Sequence, residues 1–343
     1  MNIFVTGCKG YIGSVLTGEL KKKGYYVKGL DTNYYADCLL YKYQEEYEFI
    51  KKDIRDLNKH DLSDIDAVIH LAALSNDPLG EFNPKLTEEI NLKSTINLAK
   101  LSKESKVKRF IYISSQSMYG ISETEEELDE ENSTKNPITE YAKTKWEAEC
   151  FLKEFSSEEF SIVCFRPSTV FGASPRLRCD IVFNNFVACA YTTGLIEIKS
   201  DGSPWRPVIH VKDVCNAIMA GLIAPEETIK SKSFNIGIKN GNFSIRDLAL
   251  AASKSVPGTK LVFTGEHGKD SRTYKVSFKR ILNDLEPWYK PTWTLEKGAE
   301  ELIQLFKKVN FSEMDFRGPK TNRLSHLKKL SDSNNLDQNL RWV

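Results

Sequence analysis

The fold is decided by one stretch of sequence at the beginning of the chain, Asn2-Ile3-Phe4-Val5-Thr6-Gly7-Cys8-Lys9-Gly10-Tyr11-Ile12-Gly13. An apolar, strand-like run leads into three glycines spaced three residues apart, and a helical pattern follows. The first glycine permits a tight turn, the second lets the backbone approach a pyrophosphate, and the third lets the helix pack closely on the strand. The N–H groups at the start of the helix can then bind phosphate. The stretch predicts a dinucleotide-binding strand–turn–helix unit.

The next residues supply the rest of such a unit. Apolar residues at helical spacing predict a helix over Tyr11–Lys23, and an apolar run predicts a second strand over Tyr26–Asp31. Asp31 ends that strand, where a carboxylate accepts a hydrogen bond from a ribose 2′-hydroxyl and repels a 2′-phosphate. The indicated cofactor is therefore NAD, in preference to NADP.

Strands and helices continue to alternate through the first half of the chain. Apolar runs predict further strands at Tyr47–Lys51, Ala67–Leu71, Arg109–Ser115 and Ser161–Arg166. Periodicity predicts helices over about Lys85–Ser102 and Glu140–Phe155. Such alternation is typical of an α/β protein with a Rossmann-type, doubly wound parallel sheet whose strands are buried on both faces.

The pattern loosens after Phe171, where Pro, Gly and aromatic residues separate short elements. We expect a smaller, loop-rich C-terminal substrate domain there. In 320–343, the spacing of Leu324, Leu327 and Leu330 predicts a short docked helix, to which no chemistry is assigned. The predicted NAD-binding and substrate-binding domains cover, respectively, 1–167 with 207–238, and 168–206 with 239–343.

The charge balance argues against two classes of partner. Lys and Arg number 48 against 47 Asp and Glu, a formal net charge of +1. A nucleic-acid or membrane-surface partner would favour a basic excess, so we expect neither. The longest apolar runs are a few residues, far short of the roughly 20 that span a membrane. The first residues lack the basic leader and apolar core of a signal peptide, so a cytoplasmic location is predicted.

The cysteines argue against a metal cluster and against a disulfide framework. The chain has seven, at positions 8, 38, 150, 164, 179, 189 and 215. They are odd in number, scattered, and never spaced as Cys-x-x-Cys. We therefore expect no metal in the site, and free thiols fit the reducing cytoplasm.

The catalytic candidates stand in Tyr141-Ala142-Lys143-Thr144-Lys145. A spacing of four places Tyr141 and Lys145 on one helical face, about a turn apart. A phenol with a pKa of about 10 is a poor base at neutral pH. A nearby ammonium, together with an oxidised nicotinamide, favours the phenolate. Ser115 ends a strand expected beside this helix, so its hydroxyl can bind the same substrate oxygen.

In their order along the chain, these motifs resemble those of the extended short-chain dehydrogenase/reductase family, whose NAD-dependent sugar-nucleotide members include epimerases and dehydratases. Asp53-Ile54 resembles the family's adenine-side acidic turn, and His70-Leu71-Ala72-Ala73 its loop of small residues under the cofactor. The resemblance implies that Ser115, Tyr141 and Lys145 are catalytic. It implies NAD contacts from Gly7, Gly10, Tyr11, Ile12, Gly13, Asp31, Asn33, Asp53, Ile54, Leu71, Ala72, Ala73, Asn91, Tyr141 and Lys145.

The residues after Ser115 discriminate between reactions within that family. Its 4,6-dehydratases carry Asp-Glu there, the acid and base that remove water across C5 and C6. This chain has Gln116-Ser117, which can do neither task. The segment resembles that of the UDP-galactose 4-epimerase type, which needs only the Ser/Tyr/Lys set.

Later segments resemble the family's substrate side. Trp205-Arg206-Pro207 resembles the segment whose arginine binds the substrate diphosphate, and Asp270-Ser271-Arg272 the segment that supplies a second one. An arginine fork binds phosphate bidentately, which suits a nucleotide-diphosphate sugar. The resemblance implies substrate contacts from Ser75, Ser117, Ser168, Arg206 and Arg272, with Arg176, Arg178, Asn184 and Asn185 as candidates of ambiguous alignment.

The resemblance thus implies an NAD-dependent nucleotide-sugar epimerase that acts at C4 through a transient 4-keto intermediate. It also implies a homodimer whose interface includes the Tyr141 helix. Three other functional interpretations stay open. A 4-reductase or 4-dehydrogenase would consume or release cofactor, a decarboxylase would act on a uronate, and a non-catalytic NAD-binding scaffold or sensor would use the same fold.

Overall fold

The computed structural model describes residues 1–43, 46–122, 126–266 and 273–343. Its strands are β1 (Asn2–Thr6), β2 (Tyr26–Asp31), β3 (Glu48–Lys51), β4 (Ala67–His70), β5 (Arg109–Ile113), β6 (Glu127–Leu128), β7 (Ser161–Pro167), β8 (Thr169–Phe171), β9 (Leu195–Ile198), β10 (Trp205–His210), β11 (Lys232–Ile236), β12 (Asn242–Ser244), β13 (Lys260–Phe263) and β14 (Lys275–Val276). Its helices are α1 (Tyr11–Lys22), α2 (Asp77–Gly80), α3 (Pro84–Thr87), α4 (Ser94–Glu104), α5 (Glu140–Phe155), α6 (Val182–Thr193), α7 (Val211–Ile223), α8 (Glu226–Ile229), α9 (Ile245–Ser255), α10 (Lys279–Asp284), α11 (Leu295–Lys308), α12 (Glu313–Arg317) and α13 (Arg323–Asp332).

Seven parallel strands form the central sheet, in the order β3-β2-β1-β4-β5-β7-β11. Val5 of β1 pairs with Gly29 of β2 on one side and with Ile69 of β4 on the other. The strand order runs outward in both directions from the β1–β4 pair, as in a doubly wound Rossmann-type sheet. The predicted fold class is confirmed, and the carboxyl edge beside β1 and β4 is where such sheets bind ligands.

Both faces of the sheet are buried, because successive strand residues point to opposite faces. Ile3 and Val5 belong to an apolar core that includes residues of α1 and α7. Phe4 belongs to a second core that includes residues of α4 and α5. Burial on two faces explains why the strands read as continuous apolar runs in the sequence.

A third apolar core lies beyond the sheet, among α6, α9 and α11. Next to it, β10 pairs in parallel with β8 and antiparallel with β12, and β9 pairs with β13. Between these elements the chain returns to the central sheet, where α7 packs on α1 and β11 pairs with β7. The boundaries of the two predicted domains stay a prediction.

The long helix predicted over about Lys85–Ser102 is interrupted in the structure. A π-helical turn spans Glu88–Lys93 between α3 and α4. This wider turn contains Asn91, whose buried side-chain amide bonds both the N–H and the carbonyl of Leu74. Such turns are frequent at functional sites, and periodicity alone does not reveal them.

Some features are absent from the described parts of the chain. None of the helices there is long and apolar enough to cross a membrane. The same residues contain no group of three His, Cys, Asp or Glu side chains able to hold a metal ion. All seven cysteines are described, and all are free thiols.

A buried ion pair ties the Tyr141 helix to the sheet. Glu149 of α5 accepts hydrogen bonds from Arg166 of β7, at 3.0 Å from Nε and 2.6 Å from Nη2, and both side chains are fully buried. The Ser233 hydroxyl of β11 donates to the same carboxylate at 2.6 Å. Removing one partner of such a pair leaves the other charge buried and uncompensated.

Glu149→Ala should therefore destabilise the protein by about 3–5 kcal/mol, the usual cost of breaking a buried pair. Urea denaturation of the purified variant measures the loss. Glu313→Ala is the control, because Glu313 pairs with Arg317 on the surface, where both side chains are more than half exposed. A loss at Glu149 no larger than at Glu313 would contradict the prediction.

Candidate active site

A cleft of about 490 Å³ lies at the carboxyl edge of the sheet. It is bordered by the β1–α1 turn, the ends of β2 and β4, the start of α5 and the segment after β7. Among the predicted site residues, those that line it are Gly7, Gly10, Tyr11, Ile12, Gly13, Asp31, Asp53, Ile54, Leu71, Ala72, Ala73, Ser75, Ser115, Ser117, Tyr141, Lys145, Ser168 and Arg206.

The β1–α1 turn is shaped as a cradle that side chains would fill. Gly7 has a φ of 72°, and a Cβ there would lie 2.7 Å from the backbone nitrogen of Ala72. A Cβ on Gly13 would collide with the Gly7 carbonyl oxygen. Among the residues that the structure describes, no side chain caps the N-terminus of α1. The turn therefore has the open backbone N–H groups that a dinucleotide pyrophosphate requires.

Asp31 sits beside this turn with its carboxylate fixed by the backbone. Its Oδ2 accepts the N–H of Lys9 at 3.0 Å, and its Oδ1 accepts the N–H of Asn33 at 2.7 Å. Burial raises the pKa of Asp31, and these two N–H groups act in the opposite direction. Asn33 itself does not line the cleft. Its backbone, at a φ of 59°, helps to hold Asp31 in place.

Two buried side chains, those of Asn91 and His70, position the loop after β4. Asn91, which does not line the cleft, holds Leu74 through the two hydrogen bonds described above. His70 contacts Thr6 Oγ1 and Thr95 Oγ1 through its two ring nitrogens, each at 2.7 Å. Burial lowers the pKa of His70 to about 3, so the ring is neutral. His70 is thus a satisfied core residue that supports the loop.

Asp53 and Ile54, which follow β3, also line the cleft. The Asp53 side chain caps the short turn that follows β3, accepting the N–H of Arg55 at 2.8 Å. It also forms an ion pair with the Arg55 guanidinium at 2.7 Å. These bonds hold the turn in place.

Tyr141 and Lys145 face the cleft from the first turns of α5. The helix begins at Glu140, as predicted, because the Thr139 hydroxyl caps it by accepting the N–H of Ala142. Burial raises the pKa of Tyr141 to about 12, while a hydrogen bond with Ser115 and the nearby cation of Arg178 act to lower it. The three residues Ser115, Tyr141 and Lys145 therefore meet at one site, where Lys145 is buried and the other two are half-buried.

The Lys145 ammonium is held inside the site. Its Nζ donates to the carbonyl of Ile113 at 2.8 Å and lies 4.8 Å from the centre of the Tyr112 ring. Burial lowers the pKa of Lys145 to about 7. Its charge is therefore sensitive to what binds in the cleft, because an anionic neighbour favours the ammonium.

The two residues after Ser115 both border the cleft, and their side chains make different contacts. The Ser117 hydroxyl lies 2.7 Å from that of Ser115, within the cleft. The Gln116 amide is buried and donates to the carbonyls of Arg166 at 3.0 Å and Ile236 at 3.3 Å. Neither side chain is a carboxylate, so this position supplies no acid–base pair.

The substrate-side candidates divide into three groups. Ser168 and Arg206 line the cleft, and the hydroxyl of Ser168 is buried without a hydrogen-bond partner in the described structure. Arg272 lies outside the described residues. Asn184 lies outside the cleft and is fully buried, where its amide bonds the Gly172 N–H, the Tyr11 hydroxyl and the Arg178 carbonyl.

Of the ambiguous arginines, Arg178 is the one that lines the cleft. Its guanidinium bonds both oxygens of Asp180, at 2.8 and 2.9 Å, and donates to the Ser75 hydroxyl at 3.1 Å. Sequence reasoning missed Asp180 and also Asp77, which lies near the Tyr141 phenol and accepts a hydrogen bond from Thr139 at 2.6 Å. For Asp180, the available signal in the sequence was its spacing of two residues from Arg178.

Residues 3–237 match the model of the NAD-dependent epimerase/dehydratase family. The match spans more than half of the chain, and the chain belongs to this family. The cofactor of the family is NAD, which agrees with the glycine cradle and with the carboxylate of Asp31.

Three relatives illustrate the range of the family. The chain is 28% identical to a dTDP-D-glucose 4,6-dehydratase of Bos taurus, over 89% of this chain and 93% of the relative. It is 26% identical to a UDP-glucuronate 4-epimerase of Thermodesulfobacterium geofontis, over 89% and 98%. The crystal structure of a UDP-glucuronic acid 4-epimerase from Bacillus cereus, in complex with UDP-glucuronic acid and NAD, superposes with a TM-score of 0.75 at 26% identity, over 90% of this chain and 100% of that one.

The position of Asp31 predicts that NAD binds far more tightly than NADP, because a 2′-phosphate would meet a half-buried carboxylate. Asp31→Ala should reduce the ratio of the two affinities by about tenfold or more, the scale of one charge-assisted hydrogen bond. Isothermal titration calorimetry measures both affinities. Asp37→Ala is the control, since Asp37 is an exposed acidic residue of the same loop and does not line the cleft. Equal affinities for NAD and NADP in the unmodified protein would contradict the prediction.

Proposed function

We propose that this member of the family is a nucleotide-sugar 4-epimerase. The observation that carries the proposal is the set of Ser115, Tyr141 and Lys145 in the NAD cleft, with Gln116 and Ser117 in place of a carboxylate pair. The set can move a proton at one hydroxyl of the sugar. Nothing at 116 and 117 can add the acid and base steps that dehydration needs.

In the proposed reaction, Tyr141 accepts the proton of the C4 hydroxyl and Ser115 binds the same oxygen. When held by the glycine turn and Asp31, NAD would supply the redox chemistry, which is removal of the C4 hydride and its return to the same carbon. The resulting 4-keto sugar turns over in the cleft before the hydride returns, and Tyr141 gives its proton back to the new C4 hydroxyl. Proton and hydride balance over one cycle, so the cofactor is regenerated and stays bound.

The deprotonation of Tyr141 is the step that needs the most help from the protein. A pKa of about 12 in the buried site keeps the phenol protonated at neutral pH. A base works best when its pKa lies near the working pH. We infer that the Ser115 hydrogen bond and the cations of Arg178 and Lys145 favour the phenolate once the sugar nucleotide has excluded water.

The relatives differ in reaction, and position 116–117 favours one of them. The bovine relative is a 4,6-dehydratase by name, whereas the Thermodesulfobacterium and Bacillus proteins are UDP-glucuronate 4-epimerases by name. A chain with an amide and a hydroxyl at this position fits the second type. The nucleotide and the sugar, whether hexose, heptose or uronate, are open within the proposal.

The remaining predictions concern the setting of the enzyme. A cytoplasmic location is proposed because the seven scattered cysteines are free thiols, which suits a reducing compartment. A homodimer follows from the resemblance to the family, with α5 in its interface. Both stay predictions here.

The reaction is tested by incubating the purified protein with a panel of nucleotide-diphosphate sugars, without added cofactor, and following the products by NMR. We expect the C4 epimer to form from at least one sugar, and no 4-keto-6-deoxy product from any. Turnover that requires a stoichiometric supply of NAD or NADH would favour the 4-dehydrogenase or 4-reductase, and loss of a carboxylate the decarboxylase. A 4-keto-6-deoxy product would overturn the proposal, and no turnover with any sugar would favour the scaffold.

Tyr141→Phe tests the role of the phenol, because it removes one oxygen and keeps the ring. Folding and NAD affinity should survive, whereas turnover should fall by about 10²-fold or more, the usual scale for loss of a general base. Tyr26→Phe is the matched control, since Tyr26 is an exposed tyrosine that bonds Glu48 on the surface. If Tyr141→Phe keeps most of its turnover, the proposed site is wrong.

A further inference from the structure

The segment 319–343, called the strap below, lies across one end of the NAD cleft, beyond the residues that match the family model. It contains α13 and the turn that follows. Its leucines at positions 327, 330, 336 and 340 are buried in the second apolar core of the central sheet. The strap is therefore packed against the central sheet.

The strap contacts the loop after β2, which carries the NAD-discriminating carboxylate. The Trp342 indole N–H donates to the carbonyl of Thr32 at 2.7 Å. The Tyr34 hydroxyl donates to the carbonyl of Leu340, and the ring of His326 bonds the Tyr34 carbonyl at 3.0 Å. Because Thr32 and Tyr34 line the cleft directly after Asp31, the strap supports the wall on which the ribose is expected to bind.

The strap also contacts the turn after β3, on the adenine side. Arg341 pairs with Asp56 and lies 3.5 Å from the Asp53 carboxylate. Arg55 donates to the carbonyl of Asn339 at 2.9 Å. The Lys51 ammonium lies 4.6 Å from the centre of the Trp342 ring.

A second set of contacts reaches the substrate side of the cleft. The Thr321 carbonyl accepts the N–H of Cys179 at 2.9 Å. Arg323, at the start of α13, is buried, lines the cleft and donates to the carbonyl of Arg176 at 2.6 Å. Its guanidinium also stacks on the Tyr35 ring at 4.5 Å. The strap thereby joins the two loops that face each other across the cleft.

We propose that the strap positions the adenosine end of the NAD site and slows release of the cofactor, with Trp342 and Arg341 as positioning residues. Neither residue lines the cleft, so each acts through the backbone of Thr32 or the carboxylate of Asp53. The entropic cost of ordering these two loops is part of folding and not of NAD binding. Such pre-ordering raises the affinity for NAD. The inference rests on NAD as the cofactor and is independent of the proposed epimerisation.

The test compares the affinities of three ligands in Trp342→Ala and Arg341→Ala. ADP-ribose probes the adenosine half of the cofactor, NAD the whole, and UDP the substrate side. We expect ADP-ribose and NAD to bind about tenfold more weakly, with faster NAD release in stopped-flow displacement, while UDP affinity changes less than twofold. Trp342→Phe keeps the ring and loses the indole N–H, so it should match Trp342→Ala if the hydrogen bond to Thr32 matters most.

Arg317→Ala is the control for charge removal, since Arg317 pairs with Glu313 outside the strap. Unchanged NAD and ADP-ribose affinities in folded strap variants would overturn the proposal. Equal weakening of all three ligands, together with a lowered melting temperature, would also overturn it, because that pattern indicates general loss of structure. Since no readout involves turnover, failure here leaves the proposed reaction unaffected.

Discussion

The close approach of two backbone segments is the constraint on which the rest of the site depends. The β1–α1 turn and the loop after β4 come so near that Gly7 has no room for a Cβ against Ala72, and Gly13 has none against Gly7. Without that approach, α1 could not begin at the carboxyl edge of the sheet with open N–H groups. Neighbouring side chains hold both segments in place. Asp31 accepts a hydrogen bond from the β1–α1 turn, and Asn91 accepts one from the loop after β4.

Burial is the second determinant of the chemistry. Lys145 is buried and Tyr141 is half-buried, and desolvation moves their pKa values in opposite directions, to about 7 and about 12. Near pH 7 the phenol is therefore neutral, and the amine is divided between its charged and neutral forms. A bound anionic nucleotide changes this balance, because it favours the ammonium and completes the exclusion of water. The same burial that makes Tyr141 a poor base alone thus makes its protonation responsive to binding.

The sequence predicted what short-range patterns determine. The glycine turn and α5 depend on neighbours within a few residues, and α5 has the predicted bounds because Thr139 caps its start. Other features depend on partners far apart along the chain. Trp342 bonds Thr32 across 310 positions, and Asp180 fixes Arg178 beside Ser75. The π-helical turn at Glu88–Lys93 departs from regular helical periodicity, and it contains Asn91, which bonds Leu74. Neither propensity nor periodicity carries information about such pairings.

Position 116 shows how packing restricts chemistry in this chain. The Gln116 amide donates to carbonyls of β7 and β11, so it joins the end of β5 to two neighbouring strands. A carboxylate in its place could not donate those bonds, and it would be buried against carbonyl oxygens at a large cost in free energy. Replacing Gln116 and Ser117 by an acid and a base would therefore also require a different contact between β5, β7 and β11. Gln116, on which the proposed choice of reaction depends, is thus at the same time part of the sheet's structure, because its amide joins β7 and β11 at the edge of the cleft.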